Sequence, residues 1–424
     1  MTAAGTGTRV AALREALATR VVVADGAMGT MLQEQNPTLD DFQQLEGCNE
    51  VLNVTRPDIV RSVHREYFAA GVDCVETNTF GANLSALGEY DIAGRIHELS
   101  EAGARIARET ADEFTAEDGR QRWVLGSMGP GTKLPTLGHV GYGALRDGFA
   151  QNAEGLVAGG ADALLVETTQ DLLQTKAALV GARRAMDALG VRLPLICSLA
   201  FETTGTMLLG SEIGAALTAL EPLGIDMIGL NCSTGPAEMT EHLRHLARHA
   251  RIPLMCMPNA GLPVLTADGA YFPLSPPELA DAQETFVREY GLSLVGGCCG
   301  TTPEHLRQVV ERVRELSPTQ RDPRPEPGRR RCTSRCRSGR TPRIWRSVSA
   351  PTPTGRRSSA RRCWRGAGTT VWRWPASRSA RAPTCWICAW TMSAATVWRT
   401  WRSWPAASRP RRHCRSCWTP PRST

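Results

Sequence analysis

Eight short apolar runs, each closing in a small polar or glycine-rich cluster, constrain this chain more than any other feature. They are "RVVVADGAMG", "GVDCVETNTFG", "WVLGSMGPG", "ADALLVETTQD", "LPLICSLAFE", "DMIGLNCSTG", "IPLMCMPNAG" and "LSLVGGCCGTT". Val, Leu and Ile dominate them, as suits strands buried on both faces. Helical patterns lie between the runs. "RPDIVRSVHREYFAAG" has Pro57 near its start and Gly71 at its stop; "DLLQTKAALVGARRAMDALG" ends on Gly190; "PAEMTEHLRHLARHA" opens with Pro236. Alternating strands and helices predict a parallel α/β fold, and eight units in roughly 300 residues fit a (β/α)8 TIM barrel. A doubly wound open sheet is the competing architecture.

Most runs stop in residues that carry chemistry: Asp25-Gly26, Glu76-Thr77-Asn78, Ser127, Glu167-Thr168-Thr169, Asn231-Cys232-Ser233, Asn259 and Cys298-Cys299. In a barrel these ends share one rim, the face on which active sites are built. Turn formation and helix capping account for a single Asn, Ser or Thr there. They do not account for three cysteines on two strand ends, because Cys is a poor cap. Cys232, Cys298 and Cys299 are therefore candidate metal ligands, on strands two apart around the barrel. Three thiolates at about 2.3 Å suit zinc with its fourth position open. Gly296, Gly297 and Gly300 are expected to free the backbone from strand geometry, so that both adjacent thiols face one point. The alternative is a buried cysteine pair or a redox thiol. Cys48, Cys74, Cys197 and Cys256 read as small apolar residues. An open three-thiolate zinc site suits a thiol substrate. The cation lowers the thiol pKa, and the excess negative charge leaves the sulfur able to attack a methyl group.

"DGAMGTMLQ", "ETNTFGAN", "GSMGPGTKLPTLG", "LLVETTQDL", "GLNCSTGP", "MPNAGLP" and "GGCCGTTPEH" together resemble the homocysteine-binding module of cobalamin-dependent methionine synthases, in the homocysteine S-methyltransferase family. The resemblance runs from about residue 18 to 318. It implies a (β/α)8 barrel whose zinc is held by the cysteine of "NC" and both cysteines of "GGCCG", here Cys232, Cys298 and Cys299. It also implies that Asp25, Gly26 and Glu167 hold the amino acid end of homocysteine. Carboxylates suit its ammonium and free backbone N–H groups its carboxylate; a salt bridge or helix cap is the structural alternative. Glu76, Thr77 and Ser127 are further candidates for that pocket, and Asn259 is a candidate fourth zinc ligand when substrate is absent. The implied methyl donor is methylcobalamin, carried by a module missing here, since no Asp-x-His-x-x-Gly cobalamin motif occurs.

The end of the chain has a different composition. Residues 1–327 hold 26 Lys/Arg and 42 Asp/Glu, a net −16; residues 328–424 hold 23 Arg and no Lys, Asp or Glu. Ten of the 11 Trp and seven of the 14 Cys also lie in that last stretch. A basic nucleic-acid-binding segment, a zinc ribbon built on Cys385/Cys388 and Cys414/Cys417, and plain disorder all compete for it. None explains the joint absence of Asp, Glu, Lys, Asn, Gln, Phe and Tyr. Out-of-frame reading of a GC-rich gene does. "CTSRCRSGRTPRIWRSVSAPTPTGR" (332–356) can be encoded so that moving back one base gives "LYQSVPFRQDTAYLAIGERTNANGS". "WICAWTMSAATVWRTW" (386–401) likewise gives "LDLCVDYVGRDGVADM", and "CRSCWTPPR" (414–422) a string ending "LPIVLDSTE". The recovered text resembles the start of a folate-binding barrel.

The expected organisation is thus a homocysteine-binding zinc barrel at 1–318, a linker at 319–330, and an unstructured, out-of-frame tail at 331–424. The cobalamin and folate modules are expected to be missing. A stand-alone homocysteine S-methyltransferase using S-methylmethionine or S-adenosylmethionine needs nothing after about residue 320, whereas the recovered text favours the multidomain enzyme. A nucleic-acid-binding protein acting through its tail is the reading from another class; no nucleic-acid partner is expected. No apolar run reaches transmembrane length and the N-terminus lacks an apolar signal core, so a soluble, cytoplasmic protein with no membrane partner is expected.

Overall fold

The computed structural model describes residues 3–266, 269–325, 328–330 and 335–337. Each of the eight apolar runs supplies one strand: β1 (Val22–Val23), β2 (Cys74–Glu76), β3 (Trp123–Met128), β4 (Ala163–Thr169), β5 (Leu195–Leu199), β6 (Met227–Asn231), β7 (Leu254–Met257) and β8 (Leu292–Val295). All pair in parallel, in the order β1-β8-β7-β6-β5-β4-β3-β2. A parallel bridge between Ala24 and Cys74 joins the two ends of that order. The strands therefore form a nearly closed barrel, and the open-sheet alternative fails on this circular order.

A helix follows every strand: α1 (Pro57–Ala69), α2 (Ile96–Asp118), α3 (Tyr142–Gly159), α4 (Leu172–Leu189), α5 (Ile213–Leu220), α6 (Pro236–His249), α7 (Pro276–Tyr290) and α8 (Pro303–Val313). Local sequence sets their ends. Pro57, Pro236, Pro276 and Pro303 occupy first helical positions, where a missing N–H costs nothing. Asp171 caps α4 by accepting from the Leu173 N–H at 2.8 Å, and Gly190 ends it in the left-handed region at φ 67°. The helices pack their apolar faces onto the outward-pointing strand residues, such as Val75, Val124, Leu164 and Ile228.

Side chains alternate along a strand, so the other half of each strand faces into the barrel. Val22, Leu125, Leu165, Ile196, Met227, Met255 and Leu294 fill the lower interior. Leu13, Ala16 and Leu17 of the N-terminal helix (Ala3–Thr19) join this cluster and plug the bottom. Arg9 fastens the plug: it pairs with buried Asp162 at 2.8 Å and its carbonyl accepts from the Trp123 indole at 3.0 Å. The same alternation carries Glu76, Ser127, Glu167 and Asn231 into the upper interior, above the apolar layers.

The segment expected to be a linker is attached to the barrel over its first part. Arg321 donates to the carbonyls of Ala250 and Ile252 at 2.9 and 2.6 Å, and the Arg324 N–H donates to the Arg248 carbonyl at 2.8 Å. Beyond it, Gly328–Arg330 pairs antiparallel with Arg335–Arg337. The rest of the tail, with the two Cys pairs, lies outside the described residues. Among the described residues no helix is long and apolar enough to cross a membrane.

Leu13 is fully buried in the plug, whereas Leu189 is 48% exposed at the end of α4. Leu13→Ala should therefore cost about 2–5 kcal/mol in urea-induced unfolding, and Leu189→Ala less than about 0.5 kcal/mol.

Candidate functional site

The end of β7 braces the three cysteines. The Cys232 N–H donates to the Met257 carbonyl at 3.2 Å, and the Cys298 N–H to the Pro258 carbonyl at 2.9 Å. The Cys299 carbonyl accepts from the Ala260 N–H at 2.9 Å, and the Cys299 N–H donates to the Asn259 Oδ1 at 3.1 Å. Loops from β6 and β8 are thereby laced onto the strand between them. Their ligand atoms lie within 4.8 Å of one another, and the Cys232 and Cys299 sulfurs are 3.7 Å apart. All three residues are half-buried, so the cluster opens to the barrel mouth. Asn259 sits beside the cluster with its oxygen engaged by Cys299.

The glycines act by two different means. Gly300 takes a left-handed φ of 77°, and a Cβ there would lie 2.2 Å from the Phe272 ring. Gly296 and Gly297 do not adopt that conformation; they are needed for space. A Cβ on Gly297 would stand 2.4 Å from the Thr301 Oγ1, and that hydroxyl donates to the Cys298 carbonyl at 2.7 Å.

With three sulfurs this close, no more than one thiolate is comfortable without a cation. Hydrogen bonds from Cys232 and Cys298 hold the Cys299 thiol well below its usual range. Cys298 is pushed up, first by its contacts with Cys232 and Cys299 and then by burial. At Cys232 the hydrogen bond with Cys298 lowers the pKa, but Cys299 and burial outweigh it and the net shift is upward.

Three carboxyl groups share the neighbouring space. Asp25 is buried, and both its oxygens accept from the Glu76 N–H, at 3.0 and 3.1 Å. Gly26 beside it leaves no room for a side chain, since a Cβ would lie 2.3 Å from the Thr301 Oγ1. Glu167 is buried and accepts from the Ser127 hydroxyl at 2.5 Å and the Asn231 amide at 3.0 Å. The Glu76 Oε1 is buried and has no hydrogen-bond partner among the described residues. No Arg, Lys or His side chain forms an ion pair with any of the three among the described residues. Burial pushes Asp25 and Glu76 well above the carboxylate range, Glu76 further through the charges of Glu167 and Asp25. Glu167 is raised to about 7, by burial against the pull of its hydrogen-bond donors.

The predicted residues divide by what their side chains do. Asp25, Glu76 and Glu167 gather beside the cysteines. Thr77 is committed elsewhere: its hydroxyl lies 2.6 Å from that of Thr79, which donates to the Ser127 carbonyl at 2.8 Å, and it accepts from the Ser127 N–H at 2.9 Å. It ties the β2 loop to β3. Ser127 spends its hydroxyl on Glu167.

Asn231 was legible only as part of a polar cluster, yet it joins three strands. Its Oδ1 accepts from the Thr168 N–H at 2.9 Å and the Ser198 hydroxyl at 2.7 Å; its Nδ2 donates to Glu167 and, at 2.8 Å, to the Thr168 hydroxyl. Its inward direction follows from Met227, two strand repeats earlier. The backbone nearby is strained: Thr168, Cys232 and Ser233 have φ of 52°, 57° and 62°, and a β-branched Thr is rare in that region.

A sequence profile of the family described as Homocysteine S-methyltransferase matches residues 22–313. The chain belongs to the homocysteine S-methyltransferase family. Its barrel is 64% identical over 315 residues to the Methionine synthase of Mycobacterium tuberculosis (strain ATCC 25618 / H37Rv), covering 74% of this chain and 26% of that protein. It is 65% identical over 301 residues to the Methionine synthase of Mycobacterium leprae (strain TN), covering 71% and 25%. The chain thus spans about a quarter of the length of these curated relatives. Among solved structures, the metallated form of the Homocysteine Methyltransferase MmuM from Escherichia coli superimposes with a TM-score of 0.58 at 23% identity, over 72% of this chain and 99% of that one. That likeness concerns the fold. All eight barrel strands and helices lie within the stretch that the homocysteine S-methyltransferase profile matches.

The raised acids make a pH prediction for the metal-free protein. Glu167 titrates near 7 when folded and near 4.5 when unfolded, so between those values the native state binds more protons. Its contribution to stability is complete below about pH 4.5 and is lost as pH rises through about 7. Urea midpoints should fall across that window, and Glu167→Gln should flatten the fall.

Proposed function

We propose that this chain binds homocysteine, holds its thiol as a thiolate on zinc, and presents it for methyl transfer from methylcobalamin to give methionine. The observation that carries the reading is the sulfur cluster. A tetrahedral zinc with bonds of about 2.3 Å sets its sulfurs about 3.8 Å apart, and the Cys232–Cys299 separation is 3.7 Å. Cys232, Cys298 and Cys299 would hold the ion. When bound, zinc supplies the positive charge that keeps a substrate thiol deprotonated near neutral pH.

The remaining work belongs to the chain's own groups. The substrate ammonium fits among Asp25, Glu76 and Glu167, where buried negative charge has no cation. Glu76 is the acid most in need of one. Gly26, whose Cβ position is taken up by Thr301, Tyr67 and Leu306, is the proposed backbone contact for the substrate carboxylate. Thr77 and Ser127 act in this reading by fixing the β2 loop and Glu167. Asn259, whose oxygen accepts from the Cys299 N–H at 3.1 Å, would lend that oxygen's second lone pair to zinc without substrate. The seven cysteines between Cys48 and Cys299 are free thiols, which suits a reducing, cytoplasmic setting.

Methylcobalamin as donor is supported by the high identity to two methionine synthases, of which this chain spans a quarter. The cobalamin and folate modules would then lie on sequence this chain does not contain, and the recovered folate-barrel text supports residues 331–424 being read out of frame. Genomic DNA decides that point: a one-base shift near codons 328–331 should restore an open frame. A second reading, a stand-alone enzyme using S-methylmethionine or S-adenosylmethionine, has one observation in its favour. The barrel spans 99% of the solved Escherichia coli Homocysteine Methyltransferase chain, so a barrel of this length makes up nearly all of that chain.

After dialysis against a weak chelator, the protein should retain about one zinc per chain, and Cys232→Ser or Cys298→Ser should retain little. Full occupancy in Cys298→Ser would defeat the metal reading. Methionine formed from homocysteine and free methylcobalamin, with none from S-methylmethionine or S-adenosylmethionine, would select the cobalamin donor; the reverse would select the second reading.

A further inference from the structure

We propose that Asn231 is the positioning residue that orients the Glu167 carboxylate for an ammonium-bearing thiol. The proposal rests on the homocysteine reading given above. Asn231 is only 2% exposed, and its amide makes four hydrogen bonds, all to β4 and β5. Both lone pairs of Oδ1 and both hydrogens of Nδ2 are thereby used. The next residue is Cys232, where the chain enters a left-handed turn that runs through Ser233. A residue next to a thiol ligand thus holds the face of a carboxylate 64 positions away in sequence.

The donor half of the amide matters most. Ser127 holds one oxygen of Glu167 at 2.5 Å, and Asn231 at 3.0 Å together with the Thr168 hydroxyl at 3.4 Å holds the other. These donors fix the plane of the carboxylate and favour its anionic form against burial. Only an amide both donates to Glu167 and accepts from Thr168 and Ser198 at this length. Acting through Glu167, Asn231 would raise affinity for a thiol that carries an ammonium. It would do little for a thiol without one.

The test uses the full zinc-loaded chain and two thiols, homocysteine and its deaminated analogue 4-mercaptobutanoate, titrated calorimetrically. Asn231→Asp keeps the shape and both acceptor bonds but turns an acceptor toward Glu167. Zinc content should be unchanged, homocysteine affinity should fall roughly ten- to a hundredfold, and 4-mercaptobutanoate affinity should move by less than about twofold. In a Glu167→Gln background the same substitution should add little, because the two residues act as a unit. Should Asn231→Asp not fold, Ser198→Ala, which removes one bond holding the amide, should give a smaller loss with the same selectivity. Equal loss for both thiols, loss of zinc, additive effects, or unchanged homocysteine affinity would each overturn the proposal. If the unmodified protein shows no preference for homocysteine over its analogue, the homocysteine reading itself falls, and this proposal with it.

Discussion

Uncompensated negative charge in the barrel mouth is the constraint on which the rest of this structure depends. Three thiols and three carboxyl groups share a space where no basic side chain pairs with the acids among the described residues. Buried charge of one sign is costly unless it is neutralised or paired. Here the chain neutralises part of it with protons, which is why Asp25, Glu76 and Glu167 all titrate high. The remainder is a standing attraction for cations. In the proposed function, a divalent metal at the sulfurs and an ammonium at the acids would answer both halves, and a short amino acid bearing a thiol would span them.

Keeping six such groups together requires a scaffold that does not relax. The barrel supplies it through layers. Apolar residues fill the lower interior and the N-terminal helix seals it, so the polar layer has no route downward. Above that layer, β7 braces the β6 and β8 loops by backbone hydrogen bonds, while Asn231 and the Thr77–Thr79–Ser127 chain bind β2 through β6 side by side. The left-handed Thr168, Cys232 and Ser233 show that this lacing outweighs local backbone preference.

Strand identity and order of the barrel were legible because buried parallel strands leave unbroken apolar runs. The cysteine cluster was legible too, since Cys at strand ends has few structural uses. Sequence could not separate Ser127 and Thr77, which serve other residues, from Glu76, whose carboxylate is left wanting a partner. All three are polar residues at strand ends, and only the hydrogen-bond ledger tells them apart. Asn231 was obscured for the same reason. Its importance lies in which strands it spans, and spacing does not record that. Gly296 and Gly297 looked like conformational hinges, but the limit there is the room taken by Met257, Ala24 and Thr301.

The boundary between barrel and tail follows from the same reasoning. The eighth helix ends at Val313, and the chain then stays attached: Ser317 donates to the Thr19 carbonyl at 3.0 Å and Arg321 reaches Ala250 and Ile252. These contacts close the lower end of the barrel beside the plug helix before the composition changes at residue 328. Every barrel strand, every barrel helix and every group of the candidate site precedes that point. The barrel's core residues all precede that stretch, although its Gly328–Arg330 and Arg335–Arg337 strands lie against α5. A reading of function built on strand ends is independent of what that stretch encodes.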